Sequence, residues 1–325
     1  MKKSKIYLFF MMALIVAAGC GSSEKEQETV IQNETMPDQE TVPDTKTFVM
    51  DEVTLPEQKV AYTSIETGYY EDGSINYTQT VEYNAAGQEL SHFYQKEELE
   101  FVYHYTCEYD EAGNLIYHTD YDEAGQKESV TQYQYDENGK KQLCYDCFYL
   151  EKGVWITWTE YEYDEKDNLV KAIDYDEDGI CESWWEYTYD DAGNQIKAVR
   201  YTESGEVEKS MEYTYDSVGN MVSKLENDDY LEDLFTEYQY DENCRVIHEK
   251  QADKGYGFSY DHVNEYDESG NRVYLTSYTE DGEIKGTQNW EYDDRGRVVK
   301  STTYHGGEKP TSWYVVEYVE NEVAE

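Results

Sequence analysis

Glu186-Tyr187-Thr188-Tyr189-Asp190-Asp191-Ala192-Gly193-Asn194 is the stretch of this chain that decides its fold. Aspartate suits the first position of a type I turn, and a glycine three residues later supplies the left-handed residue that makes a bulged hairpin loop. Before the turn, Tyr187 and Tyr189 share one face of an extended strand while Glu186 and Thr188 share the other. The same signature stands at Thr106-Cys107-Glu108-Tyr109-Asp110-Glu111-Ala112-Gly113-Asn114. Its anchoring tyrosines are Tyr83, Tyr109, Tyr135, Tyr163, Tyr189, Tyr215, Tyr240, Tyr266, Tyr292 and Tyr318, spaced 26, 26, 28, 26, 26, 25, 26, 26 and 26 residues apart. Self-similarity at such a period marks a repeat array whose units bury their apolar faces against their neighbours.

Each unit reads as two strands and two turns. A second turn falls 12 residues after the first in most units, as from Gly113 to Gly125 and from Gly193 to Gly205. Two turns lack glycine: Asp167 tolerates the left-handed conformation, whereas Cys244 is expected to be strained there. Counting back by two from the anchors gives Tyr133, Tyr161, Tyr187, Tyr213, Tyr238 and Trp290, with polar residues such as Gln134, Glu162 and Glu265 between. That alternation predicts a half-buried antiparallel sheet with an aromatic ladder on one face. Some twenty strands exceed what an open twisted sheet sustains without curling. The fold expected is therefore all-β: tandem 26-residue hairpins forming a long antiparallel ribbon that coils into a spiral or partly closed shell, tyrosines inward, over residues 52–320.

The start of the chain has another character. Lys2, Lys3 and Lys5 precede an apolar run from Ile6 to Ala18, too short for a spanning helix and of the length of a secretory signal. Ala17-Ala18-Gly19-Cys20 resembles the lipobox of bacterial lipoproteins, which implies a signal peptide over 1–19, a cut before Cys20 and lipid on its thiol. An ordinary secretory signal that ends in cysteine is the alternative. Acyl chains on Cys20 make the membrane the first expected partner and place the protein at the cell membrane, outside the cytoplasm. Residues 20–51 are polar, with Pro37 and Pro43, and read as a disordered tether. Residues 321–325 form a short tail in which the array is expected to end.

Lys and Arg number 26 against 72 Asp and Glu, a net charge of -46, which excludes nucleic acid as a partner by repulsion. Cationic partners or simple solvation remain.

The motif Tyr-x-Tyr-Asp-x-x-Gly-Asn resembles the YD repeats of the RHS repeat family over roughly residues 60 to 318. The resemblance implies β-ribbons wound into shells on secreted or cell-surface proteins, with carbohydrate binding or the enclosure of a toxin domain as roles. The unit here is longer than the commonest family repeat, and no proline-rich signature or toxin follows, so the toxin-carrier role does not carry over.

Three candidate sites stand out. Asp174, Asp176 and Asp178 before Gly179 have the alternating spacing of a calcium loop, but the closing glutamate position is Trp185, and a plain acidic hairpin turn is the other reading. Calcium is the one cofactor considered. Adjacent Trp184 and Trp185, with Trp158, either offer an aromatic surface to a glycan or fill a wider core. Cys144 and Cys147 have metal-ligand spacing, yet on a regular strand they face opposite ways; the 28-residue unit leaves room for a bulge that brings them together. No nucleophile elbow, phosphate loop or histidine pair with metal spacing occurs. The expectation is a non-catalytic binding or display lipoprotein for a glycan or surface protein, with a carbohydrate-active enzyme using surface carboxylates, or a purely structural surface protein, as alternatives.

Overall fold

The computed structural model describes residues 53–96, 101–150, 153–228, 233–253 and 259–321. The signal segment, Cys20, the tether and the last four residues lie outside the described residues. Twenty strands follow one another: β1 (Tyr62–Tyr70), β2 (Ile75–Tyr83), β3 (Glu89–Lys96), β4 (Phe101–Tyr109), β5 (Leu115–Tyr121), β6 (Lys127–Tyr135), β7 (Lys141–Leu150), β8 (Gly153–Tyr163), β9 (Leu169–Tyr175) and β10 (Cys181–Tyr189) form the first half. β11 (Gln195–Thr202), β12 (Val207–Tyr215), β13 (Met221–Asp228), β14 (Leu234–Tyr240), β15 (Val246–Asp253), β16 (Ser259–Tyr266), β17 (Arg272–Tyr278), β18 (Ile284–Tyr292), β19 (Val298–Tyr304) and β20 (Ser312–Glu320) complete it.

Every strand pairs antiparallel with its sequence neighbours, and β1 pairs with β20 from Tyr62↔Glu320 to Tyr70↔Ser312. The sheet is therefore a closed 20-stranded barrel, which corrects the expected open spiral or partly closed shell. The register explains the closure. From Gln79, four residues before its anchor, the pairing runs through Tyr94 to Tyr103, six before the next anchor. From Tyr105 it runs through Asp120 to Ser129, again six before an anchor. Each unit thus drops the register by two residues, and at the seam Tyr314 leads through Gly68 to Tyr77 by the same step. Ten such steps return to the first strand about twenty residues lower, a shear equal to the strand number, which closes a barrel with strands tilted about 36°. A round section of twenty strands about 4.8 Å apart would be roughly 38 Å across.

The same drift tells inside from outside. Strands of a barrel coil right-handedly, so a walk along the hydrogen bonds that descends from the Tyr-Asp turns runs left to right seen from outside. On ascending strands the residues of aspartate parity bond the following strand, as Asp110 N donates to Asn114 O. For L-residues this geometry turns the tyrosine parity inward. Residues are buried on both faces: Ala172, Trp185 and Ala198 on the inner one, where Tyr161, Tyr187, Met211 and Tyr213 pack round them, and Val130, Cys147, Ile173 and Trp184 on the outer one.

The Tyr-Asp turns have one geometry. Gly113 N donates to Asp110 O, and Asp110 Oδ1 accepts from the Asn114 amide. Asp167 and Cys244 take the glycine's place with φ of 71° and 59°. Beside each turn the anchor hydroxyl donates to the first carbonyl of the preceding descending strand: Tyr109 to Glu89 O (3.0 Å), Tyr135 to Leu115 O (2.9 Å), Tyr189 to Leu169 O (2.8 Å), and likewise to Tyr318 on Val298 O (3.1 Å). Tyr83 instead stacks on Tyr62, ring centroids 4.7 Å apart, across the first hairpin.

Both ends of the barrel sequence meet this rim. Ala61 N donates to Tyr83 O, Asn321 N donates to Ala61 O, and Gln58 Nε2 reaches Tyr109 O at 3.1 Å.

Two substitutions test these contacts. Tyr189→Phe removes one clamp and should lower unfolding stability by about 1 kcal/mol in urea melts. Cys244→Gly relieves a non-glycine residue held left-handed on an exposed turn and should raise it by about 1 kcal/mol.

Candidate functional site on the inner wall

The inner wall carries a belt of carboxylates at one repeat position. Asp120 on β5, Asp146 on β7 and Asp174 on β9 pair with Tyr105, Thr131 and Thr159, each four residues before an anchor. Hydroxyls hold all three: Ser129 donates to Asp120 (2.6 Å), Thr131 to Asp146 (2.7 Å), and Thr159 (2.8 Å) and Ser183 (2.9 Å) to Asp174. The next unit places Arg200 there, 4.0 Å from Asp174, and the following one Glu226, which bonds Lys209 and Lys224.

Electrostatics separates these acids. Burial pushes the Asp146 carboxyl up, and the neighbouring Asp174 charge adds to it against the Thr131 hydrogen bond. Burial also raises Glu226, but its two lysines outweigh it and hold the carboxyl below the usual range. Beside the belt, the Tyr105 hydroxyl donates to Glu89, His92 Nδ1 lies 3.1 Å from that hydroxyl, and the His118 ring packs 4.7 Å from the Tyr105 ring. His92 Nε2 is buried without a partner. This arrangement can hold and orient a polar or cationic group and exchange protons with it.

The sequence candidates are dispersed. Asp174 belongs to the inner belt, while Asp176 Oδ1 accepts from the amides of Asp178 and Ile180 and so closes its own turn. The three do not converge, and among the described residues no group of three His, Cys, Asp or Glu side chains could hold a metal ion. Trp184 and Trp185 face opposite sides of β10, but both are buried, at 5% and 8% exposure, so they form no open aromatic platform. Trp184 stacks on Tyr201 at 5.1 Å, and Trp158 stacks on Tyr175 at 5.4 Å, both on the outer face. Cys144 points inward and Cys147 outward, because β7 and β8 pair without a register shift; no bulge brings the thiols together. Asp120, Asp146 and Asp174 share one repeat position, as their spacings of 26 and 28 residues show, but the many other acidic residues hide them as a set in the sequence.

The outer wall is also charged. Lys171 pairs with Glu186 (3.9 Å), Lys197 with Glu212 (3.2 Å), Lys300 with Glu291 (2.9 Å) and His248 with Asp261 (2.6 Å).

No family model matches the chain, and no curated protein sequence does. Among solved structures, it is similar to the crystal structure of TcdB2-TccC3-TEV, at 15% identity and a TM-score of 0.36 over 74% of this chain, and it spans 16% of that one. It is also similar to porin-like proteins from Bacteroides uniformis (14% identity, TM-score 0.36, 82% of this chain and 99% of that one) and Bacteroides vulgatus (11%, 0.34, 82% and 100%).

Asp146 gives a pH test. Its folded pKa is raised, so its ionisation costs stability once the pH rises past the unfolded carboxyl range, and the cost is absent below it. Asp146→Asn keeps an acceptor for Thr131 and should stabilise the barrel in urea melts at pH 7, with the gain vanishing below about pH 4.

Proposed function

We propose that this chain is an extracytoplasmic lipoprotein of the YD repeat family, held on a membrane through Cys20, whose barrel is a non-catalytic scaffold for binding or displaying a glycan or protein ligand. The carrying observation is the route of the lead-in: residues before β1 join the barrel at the Tyr-Asp rim, through Gln58 and Ala61. A tether from Cys20 arrives there and leaves the opposite rim and the lumen free to meet a partner. Acyl chains on Cys20 supply the hold on lipid. The net charge of -46 favours cationic or neutral ligands and disfavours nucleic acid.

A second reading, a carbohydrate-active enzyme, is favoured by one observation: Asp146, whose carboxyl burial pushes up, sits one unit from Asp174 on the inner wall, and two carboxyls in unlike environments are what acid catalysis on glycosides uses. A screen of cell-wall and host glycans separates the two readings. Binding without turnover supports the scaffold; turnover abolished by Asp146→Asn overturns it.

The anchor is tested separately. Cys20→Ser should release the protein from the membrane fraction into the soluble one with its melting temperature unchanged, and retention in the membrane fraction overturns the lipid attachment.

A further inference from the structure

The rim opposite the Tyr-Asp turns concentrates exposed apolar side chains. Ile75, Ile180, Val207 and Ile284 each stand just after a far-rim turn. The largest group is the β7–β8 hairpin, where Leu150 is 58% exposed, Val154 50%, and Tyr149 and Trp155 39% each. These strands have 10 and 11 residues, against 9 in β6 and 7 in β9. The even strands β6 and β10 begin eight residues before their anchors and β8 begins ten before, so the hairpin projects up to about 7 Å beyond its neighbours at ~3.4 Å per residue. Its pairing runs unbroken to Leu150↔Gly153, and the Phe148 and Trp155 rings lie 5.4 Å apart at its base. It is a finger held by its own ladder.

The setting of the finger selects its occupant. From Phe148 to Ile156 the sequence carries only Glu151 and Lys152 as charged residues, of opposite sign and offsetting, whereas the far-rim turns on either side carry Asp122 and Glu123, and Asp176, Glu177 and Asp178, with no cation. We propose that the finger is a docking element for a protein partner with an apolar cleft edged by lysine or arginine. Trp155 and Leu150 are the anchors that fill the cleft, and the flanking turns meet its basic border. The flanking acids oppose an anionic lipid surface, and the net charge of -46 opposes a second copy of the chain. The finger also lies on the rim opposite the lead-in at Gln58 and Ala61, so it points away from a tether arriving there. The proposal rests on the binding reading of the barrel and is independent of lipid on Cys20.

The test places a photo-crosslinking amino acid at Leu150 in the full chain in cells, with Met211 on the inner wall and Val218 on the Tyr-Asp rim as comparison positions. Adducts are identified by mass spectrometry, and the identified protein is purified and titrated against wild type and Leu150→Asp/Trp155→Asp. The expected result is a protein adduct at Leu150 alone, with affinity that weakens as salt rises and falls at least tenfold in the double variant, while circular dichroism and melting stay as in wild type. An adduct with lipid or a second copy, no adduct, or a partner that the double variant retains overturns the proposal. Adducts at Met211 without any at Leu150 overturn the finger and leave the barrel binding through its lumen; absence of a partner at every position tells against the binding reading itself.

Discussion

The hydroxyl of the anchoring tyrosine is the contact on which the rest of the barrel depends. Nine of the ten, all but Tyr83, span from the end of an ascending strand to the first carbonyl of the strand before it, as Tyr163 does to Lys141 O at 2.8 Å and Tyr266 to Val246 O at 2.8 Å. The contact thereby sets how far one hairpin sits above the next. A net contribution of about 1 kcal/mol per hydroxyl is small. Its geometric effect is larger, because the offset repeats and adds. Two residues of drift per unit over ten units bring β20 back beside β1 in full register, and no sheet edge is left to pair with another chain.

A single-walled barrel of this width has no deep core, and the composition follows from that. Tyrosine packs its ring against the wall while its hydroxyl finds a carbonyl or carboxylate, which leucine cannot do. The inner carboxylates are tolerated because Ser, Thr and Tyr hydroxyls at the same repeat position donate to them, as Tyr77 does to Glu66 at 2.6 Å. The apolar cluster around Ala172, Trp185 and Ala198 is local, confined to neighbouring strands of one arc. Stability here comes chiefly from the ladder and its rim contacts.

Much of one unit was legible in the sequence, and less of the assembly. The turn chemistry predicted left-handed Asp167 and Cys244, and both adopt positive φ. The alternation predicted an aromatic face, and Tyr133, Tyr161 and Tyr187 share one. Closure was not legible, because it depends on a register step that appears only when pairing partners are known, multiplied by the number of units. The tryptophan pair misled for a related reason: a surface reading of Trp184 assumed an open outer face, whereas Tyr201 covers it. The aspartate belt was hidden by abundance, since 72 acidic residues make any three look ordinary until the register aligns them.

The two rims divide conservation of geometry from freedom to vary. From every anchor that leads into a Tyr-Asp turn, Tyr83 to Tyr292, the interval to its partner across the turn is six residues, as in Tyr135↔Lys141 and Tyr240↔Val246. All departures from the 26-residue period fall on the far side: the clamp spans 22 residues from Lys141 to Tyr163 and 19 from Met221 to Tyr240, against 20 elsewhere as at Tyr215. The physical reason is that a change in a Tyr-Asp turn would displace the hydroxyl from its carbonyl and alter the shear of the whole barrel, whereas a pair of residues added at the far turn only lengthens one hairpin. The β7–β8 finger is such an addition. The rim free of the register constraint is therefore the one where this architecture can build a surface for a partner, and it is the rim turned away from the lead-in.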